Sequence, residues 1–364
     1  MPLVPPCVAS LRPYDPGPSQ EELRRRYGIA EFIRLASNEN PLGSSPLALE
    51  AMSRAAHTIH RYPDGSSALR SALAEKFRVK PANVVLGSGS EGILANIIRA
   101  FLCDDDEVLT TEAAFVGFQM LAKSRGVAYR TVPYRDWAYD LEALAGEITE
   151  HTKIIYLANP NNTTGTMFTR AEFEAFYAKA PERVLILLDE AYFEYARTNP
   201  NYPDSMQYRY DNVITLRTFS KAYGLAGLRV GYGFAHENLI GNLLKVKLTF
   251  EPNTMGIAAA MGALADQEFV ERSVELNAAG LKFLTGSLRE MGLTVAPSET
   301  NFVMVPLADE SEASRVMQGM LQEGVEIRRL AGFGLPQCLR ITTGTGEENR
   351  RCVEAMHKVT AARV

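Results

Sequence analysis

The sequence predicts an α/β fold with a mainly parallel central sheet covered by helices, followed by a smaller α+β domain. Three observations carry this expectation. Between about residues 45 and 250, short β-rich runs alternate with helix-like segments, the pattern of a layered α/β domain. Several runs, such as V-L-I-L-L at Val184–Leu188, are apolar at every position, as strands covered on both faces must be. After about residue 255 the texture changes to one long helix-like stretch and a few short strands.

Residues 1–37 are polar and carry six prolines, which suits an arm laid over another surface. Strands are then expected at 83–86, 107–110, 153–157, 184–188, 213–216 and 228–232, with a helix at 93–101. A single helical stretch is expected over 254–291. Strands at 293–295, 301–306, 325–327 and 338–342 follow, with a helix at 311–323. At 364 residues the chain is too long for one compact core. The expected division is an arm with part of the small domain over 1–45, a large domain over 46–252 and a small domain over 253–364.

Composition excludes several function classes. A net charge of −5 gives no basic stripe for nucleic acid. The five histidines show no metal-ligand spacing, so no metal is expected. Four scattered cysteines read as reduced thiols, and the N-terminus has neither the basic start nor the apolar core of a signal peptide. The longest apolar stretch, around Gly256–Ala265, is half a membrane span. A cytoplasmic protein is expected.

Four polar segments fall at the C-terminal ends of expected strands, where open α/β sheets bind ligands. Gly87–Gly92 (G-S-G-S-E-G) precedes a helical run; it reads as a tight turn or as an anion site built from free N–H groups. Asn159–Gly165 (N-P-N-N-T-T-G) is turn-rich, and an Asn amide in it could also donate to a ligand oxygen. Asp189–Tyr192 (D-E-A-Y) offers a carboxylate that could cap a helix or partner a ring nitrogen. Val213–Tyr232 places Lys221 one residue after Ser220, in an apolar, Gly-rich stretch that also holds Thr218 and Arg229. A lysine in such a setting is poorly explained as a solvated surface residue. An adjacent arginine or partial desolvation would make its amine reactive near neutral pH.

This last stretch resembles the lysine signature of the fold type I pyridoxal-phosphate (PLP) enzymes, and within them the histidinol-phosphate aminotransferase family. Leu35–Gly43 (L-A-S-N-E-N-P-L-G), Arg61–Gly65 (R-Y-P-D-G) and Phe333–Asn349 (F-G-L-P-Q-C-L-R-I-T-T-G-T-G-E-E-N) continue the resemblance in the family's order along nearly the whole chain. The resemblance implies PLP as cofactor, held by Lys221 as a Schiff base. That lysine then shuttles the proton at the substrate's α-carbon. Asp189 is implied as the ring-nitrogen partner, Tyr192 and Asn162 as donors to the ring oxygen, and Phe115 as the ring stacked on the cofactor face. Ser90, Glu91, Thr218, Ser220 and Arg229 are implied around the cofactor phosphate. Tyr62 is implied to reach that phosphate from the other subunit of a homodimer. Tyr14, Asn38, Arg328 and Arg340 are implied as substrate-binding groups, the tyrosine and two arginines gripping a substrate phosphate.

The chain departs from the family pattern at Ser90-Glu91-Gly92, at Ala113-Ala114 and at Thr163. None of these removes a catalytic group, but all lie near the expected cofactor. The function expected is ping-pong transfer of an amino group between histidinol phosphate and 2-oxoglutarate. An aromatic amino acid aminotransferase and a PLP-dependent decarboxylase of a phosphorylated amino acid use similar scaffolds. A dinucleotide-dependent oxidoreductase would need the full G-x-G-x-x-G spacing, which Gly87-Ser88-Gly89 lacks, and would leave Lys221 unexplained.

Overall fold

The computed structural model describes residues 3–63, 67–208 and 210–361; Asp64 and Gly65 of the R-Y-P-D-G motif lie outside them. In chain order its strands are β1 (Ile33–Arg34), β2 (Val84–Ser88), β3 (Glu107–Thr111), β4 (Ala128–Val132), β5 (Thr152–Ala158), β6 (Leu185–Asp189), β7 (Val213–Thr218), β8 (Val230–Phe234), β9 (Phe302–Pro306), β10 (Val325–Glu326), β11 (Arg328–Arg329) and β12 (Cys338–Thr342). Seven of them form the large sheet in the order β2-β8-β7-β6-β5-β3-β4. All its pairings are parallel except those that β8 makes with β2 and β7.

The apolar runs are strands for the expected reason. Side chains alternate between faces with period two. Ile154, Tyr156, Leu185, Leu187, Ile214 and Leu216 enter one core with the helix Gly89–Phe101. Ile155, Leu157, Ile186 and Leu188 enter another on the opposite face. The same alternation sets the polar ends: Ala158, Asp189 and Thr218 continue the parity of the first face, while Glu190 and Arg217 fall on the second. A smaller antiparallel sheet, β11-β12-β9, packs with the helices Glu310–Gln322 and Gly346–Ala361. The N-terminal segment joins this part through β1, which pairs in parallel with β10.

Several local expectations are corrected. The N-terminal segment contains a helix, Gln20–Tyr27, beginning just past the last proline; Ser19 caps it by accepting from Glu22 N–H, and Leu23 buries against Phe32 and Leu321. Strand β4 lies outside the expected strands: it is a sheet edge whose residues A-Y-R-T-V are mostly part-exposed and form no apolar run. The stretch 254–291 is two helices, Thr254–Ala265 and Gln267–Glu290, broken at Asp266. Asp266 caps the second helix through Phe269 N–H and also accepts from Ser45 Oγ at 2.7 Å. Residues 293–295 are no strand; Leu293 and Val295 pack into the small core from an irregular segment. Asn83 and Leu228 belong to short 3-10 turns before their strands.

The helix Thr254–Ala265 buries Ala259, Ala260 and Ala263 in the core of the large sheet, so that core runs past residue 252. The next helix bridges both parts: Val270 and Val274 enter the large core, and Leu284 and Leu288 the small one.

Candidate active site

The four motif segments meet at the C-terminal ends of β2, β5, β6 and β7. They enclose a cavity of about 110 Å³ whose lining includes Ser90, Glu91, Phe115, Asn162, Asp189, Tyr192, Thr218, Ser220, Lys221 and Arg229. Of the residues expected around a cofactor, Tyr62 alone is absent from this lining: it is 77 % exposed and stacked on Phe250 at 4.1 Å.

One end of the cavity is a cradle for an anion. The helix Gly89–Phe101 starts inside the Gly-rich motif, so Ser90 and Glu91 occupy its first turn, where backbone N–H groups are free. Opposite it, Thr218 Oγ1 donates to Ser220 Oγ at 3.0 Å, and Arg229 Nη1 donates to the same oxygen at 3.3 Å. Arg229 adopts φ 54°, a left-handed conformation uncommon for a non-glycine residue. Its guanidinium lies over Gly89, where a Cβ would come within 2.6 Å of Nη2; a side chain there would displace the arginine.

At the other end, Asp189 is 5 % exposed and accepts from Tyr156 Oη at 2.7 Å through Oδ2; its Oδ1 is buried with no hydrogen-bond partner among the described residues. It caps no helix, since the next one begins after Tyr192. Burial pushes this carboxyl up to about 6, opposed by the Tyr156 hydrogen bond, the Ala191 backbone N–H and the Lys221 charge. Tyr192, fully buried, accepts from Asn38 Nδ2 and from Asn162 Nδ2, each at 2.7 Å. Two donors occupy the phenol's acceptor positions, which leaves its own proton available to donate.

Lys221 Nζ sits between these groups, 3.5 Å from Ser37 O and 5.6 Å from the Tyr192 ring centre. Burial pushes its amine down to about 8; the Arg340 charge adds to this more than that of Arg229. The nearby arginine expected from the sequence exists, but the stronger one arrives from the small domain.

A second cavity of about 490 Å³ opens on the first, sharing Glu91, Phe115, Asn162 and Lys221, and is lined by Tyr14, Asn38, Arg328 and Arg340. Arg328 and Arg340 are directly opposed across β11 and β12. Their hydrogen bonds go to backbone carbonyls: Arg340 to Asn162 and Ala36, Arg328 to Ala36, Asp15 and Pro16. Arg340 Nε is buried with no hydrogen-bond partner among the described residues. Burial, with Arg328 adding to it and Tyr192 opposing, lowers Arg340 to about 10. Facing like charges are unfavourable, and an anion between them would offset this. Asn38 belongs to both settings, since it lines this cavity while donating to Tyr192.

The chain matches the family Aminotransferase class I and II over residues 30–356. This chain belongs to that family. The aminotransferase is 42 % identical to a histidinol-phosphate aminotransferase of Anaeromyxobacter sp. (strain Fw109-5), with 100 % of each chain covered. It is 42 % identical to histidinol-phosphate aminotransferase 2 of Pseudomonas fluorescens (strain Pf0-1), covering 99 % of this chain and 98 % of that one. Its fold superposes with a TM-score of 0.89 and 32 % identity on the Sinorhizobium meliloti histidinol-phosphate aminotransferase in complex with pyridoxal-5′-phosphate, covering 99 % and 98 % of the two chains. A double mutant of Thermus thermophilus aspartate aminotransferase gives 0.85 and 25 % over 99 % and 100 %.

The aminotransferase's cofactor is PLP, and the residues present fit it. The orphaned Asp189 Oδ1 suits a ring N–H, the Ser220–Arg229 cradle suits a phosphate, and an amine stands between them. Tyr156 went unrecognised in the sequence, although a phenol in an otherwise apolar strand must find a hydrogen-bond partner. Among the described residues, no helix is long and apolar enough to cross a membrane.

Proposed function

We propose that this aminotransferase moves the amino group of histidinol phosphate to 2-oxoglutarate in a ping-pong reaction. The observation that carries this reading is the cavity holding Arg328 and Arg340 face to face with Tyr14, open at its other end to Lys221. An amine whose far end is a phosphate spans such a cavity. Guanidinium forks suit phosphate and carboxylate alike, so a 2-oxo acid would use Arg340 in the second half-reaction. The names of the relatives support the same substrate.

When bound, PLP supplies an electron sink for the pair released at the substrate's α-carbon. Lys221 Nζ would hold the cofactor, and as a free amine it would take the proton from the substrate's α-carbon. An amine lowered to about 8 is partly neutral at pH 7–8 and can act as that base. Asp189 Oδ1 keeps the ring nitrogen protonated. Tyr192 and Asn162 orient the ring oxygen, and Phe115 covers the ring face. Ser90, Glu91, Thr218, Ser220 and Arg229 anchor the phosphate end.

The working unit in this reading is a cytoplasmic homodimer, with Tyr62 reaching the partner's cofactor phosphate. Exposed Ile59, Tyr62, Leu248 and Phe250 support a covered surface there, and four free cysteines suit a reducing compartment.

The test is to load the protein with PLP and add histidinol phosphate, phenylalanine, tyrosine or threonine phosphate in turn. Loss of the lysine-bound absorption band, with the oxo product formed, is expected with histidinol phosphate. A reaction confined to phenylalanine and tyrosine would move the assignment to an aromatic aminotransferase. Release of carbon dioxide from threonine phosphate would make it a decarboxylase.

A further inference from the structure

Tyr156 lies on β5 with its side chain fully buried, its ring stacked on Phe118 at 4.1 Å and 16° between planes. Its register partner on β6 is Leu187, and Asp189 lies two residues further along the same face, opposite Ala158. Thr110 Oγ1 donates to the Tyr156 backbone carbonyl at 2.7 Å. Ring stack, strand pairing and this hydrogen bond fix where the phenol points. It points at one oxygen: the hydroxyl donates to Asp189 Oδ2 at 2.7 Å, and Oδ1 is left buried with no partner.

We infer that Tyr156 is a positioning residue for this reaction: it holds Asp189 by Oδ2, so that Oδ1 alone is presented to the ring nitrogen of the cofactor. The inference rests on reading this cavity as the PLP site. A carboxylate with both oxygens free could rotate or take up a proton; one held by a rigid donor does neither as readily. The donor is permanent, because burial and the Asp189 charge keep the phenol protonated well beyond neutral pH. It also opposes the burial that raises Asp189. The other ionisable groups acting on this carboxylate are Lys221, Tyr192 and Tyr139. Lys221 favours its charge, and the two tyrosines, raised by burial, are neutral phenols that accept from other groups.

The experiment compares Tyr156→Phe, Phe118→Leu and Asp189→Asn with the unmodified holoenzyme, using PLP labelled with nitrogen-15 in the ring. Tyr156→Phe keeps the stack on Phe118 and removes one oxygen. It is expected to move the ring-nitrogen resonance toward the unprotonated position and to weaken PLP affinity roughly tenfold, as loss of a hydrogen bond to a charged group does. It should lower kcat with KM little changed. Phe118→Leu disturbs the packing and spares the hydroxyl, so its nitrogen resonance should match the unmodified enzyme. If Asp189→Asn shifts that resonance and Tyr156→Phe does not, the positioning role is overturned. The same follows if Phe118→Leu reproduces the Tyr156→Phe shift. If Asp189→Asn itself leaves the resonance unmoved, the reading of the site falls and the inference with it.

Discussion

The Asn38 side-chain amide donates to the Tyr192 hydroxyl at 2.7 Å, although 154 positions separate the two in the chain. Asn38 adopts φ 57°, and Thr342 Oγ1 in β12 both accepts from its backbone N–H and donates to its Oδ1. The N-terminal segment and the large domain therefore meet at one phenol oxygen, and the small sheet braces Asn38 from behind. Removing this donor tests the link: Asn38→Ala should slow turnover and shift the bound-cofactor absorption band, because Tyr192 would lose one of its two orienting partners. A rise in KM with an unchanged band would instead make Asn38 purely a substrate contact.

Lys221 is the group whose loss should be least forgiving. Lys221→Ala is expected to form no borohydride-reducible adduct with PLP and to lose about 10²–10⁴ in rate, the range for removing a positioned general base. Mass spectrometry of the reduced protein checks the first point and single-turnover kinetics the second.

The lowered amine gives a pH dependence with a definite sign. A lysine depressed to about 8 is protonated below that pH and neutral above it. The rate at which the apoprotein takes up PLP should therefore rise from pH 6.5 to 9 with a midpoint near 8. Arg340→Gln removes a neighbouring positive charge and should move that midpoint upward.

Arg328 and Arg340 face each other across two strands and are expected to contribute unequally to different substrates. Arg328→Ala should raise KM for histidinol phosphate by roughly 10–100-fold, the loss of a charge-assisted hydrogen bond, and leave histidinol nearly unaffected. Equal losses with both amines would show that Arg328 supports the fold rather than the phosphate.

Behind the site, Arg217 is fully buried, bonded to Glu190 through Nε and Nη2 at 2.9 and 2.7 Å and to Asp204 at 2.8 Å. Removing one partner of a buried pair strands the other charge. Arg217→Met should thus lose about 3–5 kcal/mol in urea denaturation.

The polar groups gathered at the strand ends are legible in the sequence because strand periodicity and turn chemistry are local. An apolar run ending in D-E-A-Y or in T-F-S-K says both that a strand stops there and which face its last residues take. The strand β4 and the break at Asp266 were not legible. An edge strand lacks a two-sided apolar pattern, and Asp266 ends one helix and caps the next while accepting from Ser45, 221 residues away.

By itself, then, the sequence determined the α/β class, the strand ends and the chemical kind of each group placed there. Only the tertiary structure decided which of those groups touch. Tyr156 reaches Asp189 because β5 and β6 pair in one register, and Arg340 adds more than Arg229 to the lowering of Lys221 because β12 brings it to the cavity that Lys221 also lines. Hydrogen bonds and charge–charge effects act over a few ångströms of space, and the distance along the chain does not enter them.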